Sequence, residues 1–326
     1  MDLRIPYEQL QQEFERVLLA LSFPEAKAAH CARIFAQNSR DGVYTHGLNR
    51  FPAFVEAVRQ GRVDPAAEPE CVERTGALER WDAHLAPGVY GAWQAMARAV
   101  ALAQEHGLGC VALGNTNHWM RGGTYGWQAA EAGCIGICFT NTIANVTPWG
   151  GSAARLGNNP LVISVPRGAQ PPVVLDMALS QYSFGKLGTY AAEGETLPVP
   201  GGYDAAGNLT TDPAAVLASQ RGLPIGFWKG SGLALVLDAL LTALTGGRST
   251  AAISQSGHEY GVSQCFLALR QPALHAPLID DIIRYTKQGH ENEVRYPGEQ
   301  SWLTRQDNLA HGIPVRADIW EQVQRM

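Results

Sequence analysis

The sequence predicts an α/β fold with a helical N-terminal segment, a central mixed α/β body, and C-terminal helices that pack back. Three observations predict it. Apolar residues recur at helical spacing through the first hundred positions, short apolar runs punctuated by Gly, Asn and Pro take over from Gly133, and helical spacing returns near the end of the chain. With 326 residues, 46% of them hydrophobic, the chain can bury more than one core, which favours two lobes. The segments divide at 1–115, 116–275 and 276–326.

Taken in order, Leu10, Phe14, Val17 and Leu18 line one face of a first helix. "SFPE" offers Ser22 as N-cap, Pro24 in the first turn and Glu25 closing a capping box, so a second helix follows to about Ser39. After "DGVYTHGLNRFPAF", residues 41 to 54, Phe51, Phe54, Val55 and Val58 share a face of a helix that ends at Gly61. "CVERTGALERWDAH" alternates around Thr75–Gly76 like a hairpin. A long helix from Pro87 to His106 is stopped by Gly107 and gives way to the strand "LGCVALG". Gly107, Gly109 and Ala112 match the letters of a dinucleotide fingerprint, but here a helix precedes the glycines and a strand follows, the reverse of what phosphate cradling requires.

Beyond Gly133, "CIGICFTN", "NPLVISVP" and "PVVLDMA" read as strands, and "TYAAEGETLPVPGGYDAAGNLTTDP" as a long polar surface excursion. A core helix follows from about Ser231, then a strand "GVSQCFLALR", a helix near Leu274 to Lys287, a loop around "RYPGEQ", and a last amphipathic helix from Ala317.

Composition narrows the function. Only 17% of residues are charged, the net charge is −5, and no basic run offers a footprint for nucleic acid or an anionic membrane. The apolar stretch "GLALVLDALLTALTGG" is interrupted by Asp238 and falls short of the roughly 20 residues a bilayer span needs. The N-terminus lacks an apolar signal core, so a cytoplasmic protein is expected. Six scattered cysteines, with Cys134 and Cys138 alternating onto one strand face, read as buried thiols rather than a disulfide framework. No histidine pattern suggests a structural metal. A small diffusible partner is the remaining expectation.

Five stretches could carry chemistry. "GNTNHWMRGGTYGW" places Asn115, Asn117, His118 and Arg121 after a strand and before a helix, where α/β sheets bind ligands, although an ordinary polar loop explains them too. If Thr45 caps a helix, His46 and Arg50 are i and i+4 neighbours on one face. A solvated helix end would suffice, but two cations together make sense when an anion comes between them. A 2-oxo or 2-hydroxy carboxylate offers a carboxylate to Arg50 and an oxygen to His46. "GFWKGSG" sets Lys229, Gly230 and Gly232 at a helix start, which suits phosphate or simply a tight turn. Asp176 at a strand end and "PGEQ", 297 to 300, are weaker. No G-x-S-x-G elbow is present, which sets a serine hydrolase aside. A non-catalytic small-molecule binder would use the same side chains.

Together, "DGVYTHGLNRFPAF", "NHWMRGGTYGWQAAEAGCIGIC", "NNPLVISVP", "LDMALSQYSFG", "GFWKGSG", "EYGVSQ" and "PGE" occur in an order that closely resembles the malate/L-lactate dehydrogenase family of the non-Rossmann type. The resemblance covers nearly the whole chain. It implies a homodimeric, nicotinamide-dependent oxidoreductase with a non-Rossmann NAD-binding domain on a largely antiparallel sheet, acting on a 2-keto or 2-hydroxy acid. The family's acid/base histidine falls on His46, with Arg50 and His118 near substrate. Its cofactor contacts fall on Pro172, Val173, Val174, Leu175, Asp176, Met177 and Ala178, on Trp228 and Lys229, and on Gly298, Glu299 and Gln300. NADH is expected over NADPH, because no arginine cluster flanks these segments, Lys186 and Arg167 being the available cations.

Overall fold

In the computed structural model, which describes residues 3–271 and 275–326, a short strand β1 (Leu3–Ile5) leads into α1 (Tyr7–Ala20), α2 (Glu25–Arg40) and α3 (Phe51–Arg59). The residues chosen by helical spacing are the buried ones: Leu10, Phe14, Val17 and Leu18 on α1, and Phe51, Phe54, Val55 and Val58 on α3. Phe14, Phe35 and Phe51 form an aromatic knot with ring centroids 4.3 to 6.0 Å apart. Each such ring contributes about 1.5–3 kcal/mol by burial, and more through pairing.

The hairpin β2 (Glu70–Thr75) and β3 (Leu78–Asp82) precedes α4 (Gly88–His106), which Gly107 ends in the left-handed region. Then come β4 (Leu108–Thr116), α5 (Gly123–Glu131), β5 (Cys134–Thr140), the small pair β6 (Ala144–Val146) and β7 (Leu156–Gly157), β8 (Leu161–Arg167) and β9 (Gln170–Met177). After α6 (Phe184–Glu193), the pair β10 (Gly202–Tyr203) and β11 (Leu209–Thr210), and α7 (Pro213–Ser219), the chain enters α8 (Trp228–Thr245) and α9 (Thr250–Gln255). It closes with β12 (Val262–Arg270), α10 (Ala276–Lys287), α11 (Glu299–His311), β13 (Ile313–Val315) and α12 (Ala317–Gln324).

Seven strands form one sheet in the order β2-β3-β4-β12-β5-β8-β9. Only β3 and β4 run parallel; every other neighbouring pair is antiparallel. This is the largely antiparallel sheet implied by the resemblance. Helices α4 and α5 pack on one face and α8 on the other, so β12, central and buried along most of its length, is apolar from Cys265 to Leu269. Strand β13 pairs with β1, and Ile313, Trp320 and Val323 join the core of α1 to α3. The C-terminus thus returns to the first helices, as the sequence predicts.

Several local expectations are corrected. Ser22 sits at φ 64°, and α2 begins after Pro24 with no side-chain cap, so the capping box does not form. Thr45 caps nothing: residues 44–46 and 48–50 form two 3₁₀ turns separated by Gly47, and the α-helix starts only at Phe51. The polar stretch 189–213 is not a bare excursion, because Leu187, Leu197 and Val216 make a small core beneath α6 and α7. Helix α8 begins at Trp228 rather than Ser231 and is only half a core helix. Ala234, Leu237 and Leu241 are buried while Leu235, Val236 and Leu240 are exposed. The helix expected from Leu274 starts at Ala276, Leu274 lying outside the described residues. The loop at "RYPGEQ" feeds straight into α11, which polar composition concealed.

Candidate active site

The strongest constraint on the site is the carboxyl end of β4. Asn115 and Met120 adopt positive φ of 50° and 64°, which forces the chain off the sheet edge and presents His118 and Arg121 to a cavity. Asn117 is structural, its Nδ2 donating to the Leu85 and Ala86 carbonyls at 2.8 and 3.2 Å. Asn115 likewise donates to Asp82 at 3.0 Å.

The cavity measures about 580 Å³ and is walled by His46, His118, Arg121, Thr142, Asn158, Ser183 and Arg295, with Val174, Leu175, Asp176, Ala178 and Gly298 along one side. His46 arrives from the opposite direction, from the first of the two 3₁₀ turns. Its ring stacks on His118 with centroids 5.7 Å apart at 17°, and its Nδ1 lies 3.0 Å from Thr45 Oγ1. The i, i+4 geometry expected of His46 and Arg50 is absent. Arg50 acts on His46, His118 and Glu259 electrostatically without lining the cavity. Among the described residues Arg50 makes no ion pair.

Electrostatics make the two imidazoles neutral. Burial, then the neighbouring His118, Arg50 and Arg121, lowers His46 to about 3. Burial and Arg50 lower His118 to about 3 as well. The two differ in their hydrogen bonds. Met120 N–H donates to His118 Nδ1 at 2.9 Å, which places that ring's proton on Nε2, 3.8 Å from Glu259 Oε1. Glu259 in turn accepts from Ile143 N–H at 3.0 Å, and burial raises its pKa. Asp176 opens onto the cavity yet is ringed by protein. Burial raises its pKa although Gly123 N–H donates to it at 2.7 Å and Arg121 is near.

Arg121 differs from Arg50 in being tied down. Asp41 Oδ2 accepts from Arg121 Nη1 at 2.6 Å and from Arg305 Nη2 at 2.7 Å, while Oδ1 accepts from Arg40 and Arg305, both at 2.8 Å. These guanidiniums outweigh the burial of Asp41 and hold it down to about 2. Asp41 and Glu259 escaped the sequence reading. Asp41 looks like the first residue of a turn before Gly42, and Glu259 sits in a polar loop with no spacing signal.

The cofactor segments meet the cavity in part. Val174, Leu175, Asp176, Ala178 and Gly298 line it; Pro172, Val173, Met177, Glu299 and Gln300 do not. Gly298, at φ 92°, lies against Val174, where an added Cβ would come within 3.1 Å of the Val174 nitrogen. Pro297 O accepts from that same N–H at 2.9 Å, so the "PGEQ" turn is stitched to the edge of β9. Trp228 and Lys229 lie outside the cavity at the exposed start of α8, after Phe227 at φ 59°. Gly230 is required there by close approach to Ile225 of the same turn, which supplies the tight-turn explanation for that glycine.

This chain, with a largely antiparallel sheet and a cavity lined by His46, His118, Arg121 and Arg295, is matched over residues 5–324 by the family model described as malate/L-lactate dehydrogenase. The chain belongs to that family. It is 43% identical to a 2,3-diketo-L-gulonate reductase of Citrobacter koseri and 44% identical to one of Pasteurella multocida, in each case over 99% of this chain and all of the relative. A crystal structure of malate dehydrogenase from Entamoeba histolytica shares the fold with a TM-score of 0.93 at 22% identity, covering all of this chain and 97% of that one. A δ1-piperideine-2-carboxylate reductase from Pseudomonas syringae matches with a TM-score of 0.90 at 26% identity, covering 99% of both chains. The protein is therefore an oxidoreductase of a dehydrogenase family that works with a nicotinamide cofactor. No helix among the described residues is long and apolar enough to cross a membrane.

Proposed function

We propose that this protein reduces the 2-keto group of 2,3-diketo-L-gulonate to 3-keto-L-gulonate with NADH, His46 giving the proton and Arg50 holding the carboxylate. The observation that carries the reading is one cavity containing His46, His118 and Arg121 together with the end of β9 and Gly298, in a chain more than 40% identical to relatives bearing that reductase name.

The cofactor would lie along Val174 to Ala178 and Gly298, which share one wall of the cavity; when bound, it supplies a hydride to the carbonyl carbon. The rest of the work falls to protein groups. As the carbonyl becomes an alkoxide, its oxygen must take a proton, a transfer that a positioned acid accelerates by roughly 10²–10⁴-fold. His46 suits this better than His118, whose Nδ1 is already engaged by Met120 N–H and whose Nε2 faces Glu259. His46 is held neutral first by burial and then by neighbours that include Arg50 and Arg121. A bound carboxylate beside Arg50 would offset that arginine and set a negative charge near His46, which favours the protonation that reduction needs.

NADH over NADPH is supported by the fate of Arg167 and Lys186, two of the cations near the cofactor segments. Arg167 is committed to Asp280 at 2.6 and 2.9 Å and stacks on Tyr296, while Lys186 lies over Tyr190. Arg167 is thereby committed within the chain rather than poised for a 2′-phosphate. A two-fold dimer is supported by the apolar side chains that α8 leaves uncovered, Trp228, Leu235, Val236 and Leu240, a continuous face of the kind homodimers bury.

The test is a panel of 2-keto acids, with malate- and lactate-type substrates, ureidoglycolate and cyclic imine carboxylates, followed through NADH and NADPH oxidation. The highest kcat/KM on 2,3-diketo-L-gulonate with NADH is expected. A higher value on another acid reassigns the substrate, and saturation by NADH without turnover on any of them would make the protein a binder.

A further inference from the structure

The proton transfer and the carboxylate contact proposed for His46 and Arg50 leave Glu259 without a role, although it stands beside His118. Its loop is held in place. Glu259 Oε2 accepts from Ile143 N–H at 3.0 Å, next in sequence to Thr142 on the cavity wall, and Tyr260 lies under Arg248 at 4.6 Å. The other carboxylate oxygen, Oε1, lies 3.8 Å from His118 Nε2. Because His118 Nδ1 accepts from Met120 N–H, Nε2 carries the proton. A donor and an acceptor thus face each other at a separation too long for a hydrogen bond. Neither atom has another partner among the described residues, and neither is sealed off, the two side chains being 23% and 17% exposed.

Chemistry sets which group fits between them. A hydroxyl accepts one hydrogen bond and donates another, and an oxygen about 2.8 Å from each atom bridges such a gap. A carboxylate only accepts, so it would meet Nε2–H but leave Glu259 without a donor and bring two negative charges together. A methyl group would strip both atoms of water and pair neither. Burial raises the Glu259 pKa, against which Ile143 N–H and then Arg50 favour the carboxylate form.

We propose that Glu259 is a specificity-determining residue: together with His118 Nε2 it receives a substrate hydroxyl and excludes a second carboxylate, so the enzyme takes 2-keto acids with a hydroxylated rather than an acidic tail. This deepens the keto-acid reading above and rests on it, because the substrate's own carboxylate must lie at Arg50 for its tail to reach Glu259.

Three four-carbon acids that differ only at C4 test it: 4-hydroxy-2-oxobutanoate, 2-oxobutanoate and oxaloacetate, which end in a hydroxymethyl, a methyl and a carboxylate. With the full-length protein saturated with NADH, wild-type kcat/KM should fall in that order, the hydroxy acid exceeding oxaloacetate by about 100-fold. An acid that binds without turnover is ranked by its Kd, with the same order expected. Glu259→Gln keeps the shape and removes the charge; it should bring the ratio to within about tenfold, chiefly by raising the value for oxaloacetate. Glu259→Asp keeps the charge and should still exclude oxaloacetate. A purely structural role would lower all three acids together and leave their ratios unchanged in Glu259→Gln. The wild-type order tests the assignment without any variant. Discrimination within the series without turnover of 2,3-diketo-L-gulonate would reject that substrate and leave Glu259 its role. Unchanged ratios in Glu259→Gln, or wild-type oxaloacetate equal to or better than the hydroxy acid, overturn the role of Glu259 even where 2,3-diketo-L-gulonate is reduced.

Discussion

Asp41 and His46 lie five residues apart, and the two clusters they organise treat cations in opposite ways. Around Asp41, three guanidiniums converge on one buried carboxylate, every carboxylate oxygen is used, and the acid is held down to about 2. Around His46, Arg50 has no ion pair among the described residues, His118 stacks instead of pairing, and both imidazoles are forced neutral. The first cluster is anchored structure. The second, on the function proposed above, is where the charge of a ligand would enter. The difference lies in whether positive charge is compensated from within the chain, and that separates scaffold from site more clearly than residue type does.

Substitutions that exchange these roles test the contrast. The largest effect belongs to His46→Asn, which should lower kcat by roughly 10²–10⁴-fold in steady-state assays while NADH affinity and melting temperature stay near wild type. Next comes Asp41→Asn, which strands Arg121 and Arg305 in a buried place. It should cost about 3–5 kcal/mol in denaturant unfolding, and adding a second charge-neutralising change, Arg121→Gln, should return part of it. Arg50→Ala comes third, raising KM for the keto acid about 10- to 100-fold through the lost charge-assisted contact, with little change in stability because no internal partner is orphaned.

The smallest effect concerns acid. His30, packed against Tyr90 and Trp93, is lowered by burial and Arg33 to about 4, below the value near 6.5 of an unfolded chain. The unfolded state therefore binds the proton first as pH falls. The folded state carries no penalty from this group above about 6.5, loses stability progressively toward 4, and loses no more below it. His30→Gln should flatten that part of the curve of unfolding free energy against pH, and an unaltered slope between those limits would show that His30 is not responsible.

Much of this was legible in the sequence. Leu10, Phe14, Phe51 and Val55 announced their burial by helical spacing, because a helix buries one stripe and the period is local. The strands from Cys134 to Met177 were equally plain. His46 and Arg50 are expected to share one helix face, but Gly47 breaks the backbone into two turns, and the ring that meets His46 is that of His118, through tertiary placement. What stayed hidden was non-local. Asp41 finds Arg121 and Arg305 across 80 and 264 positions, Glu259 meets His118 only once β12 is in the sheet, and the outer face of α8 is apolar without being covered in one chain. No periodicity encodes such pairings.

The central claim is that His46 is neutral in the free enzyme and becomes the acid only when a carboxylate settles beside Arg50. Titration calorimetry measures this directly, with oxamate added to the NADH-bound enzyme at neutral pH in buffers of different ionisation enthalpy. Wild type should take up about one proton per site on binding, and His46→Asn close to none. Binding without proton uptake in wild type, or with the same uptake in His46→Asn, would contradict the account.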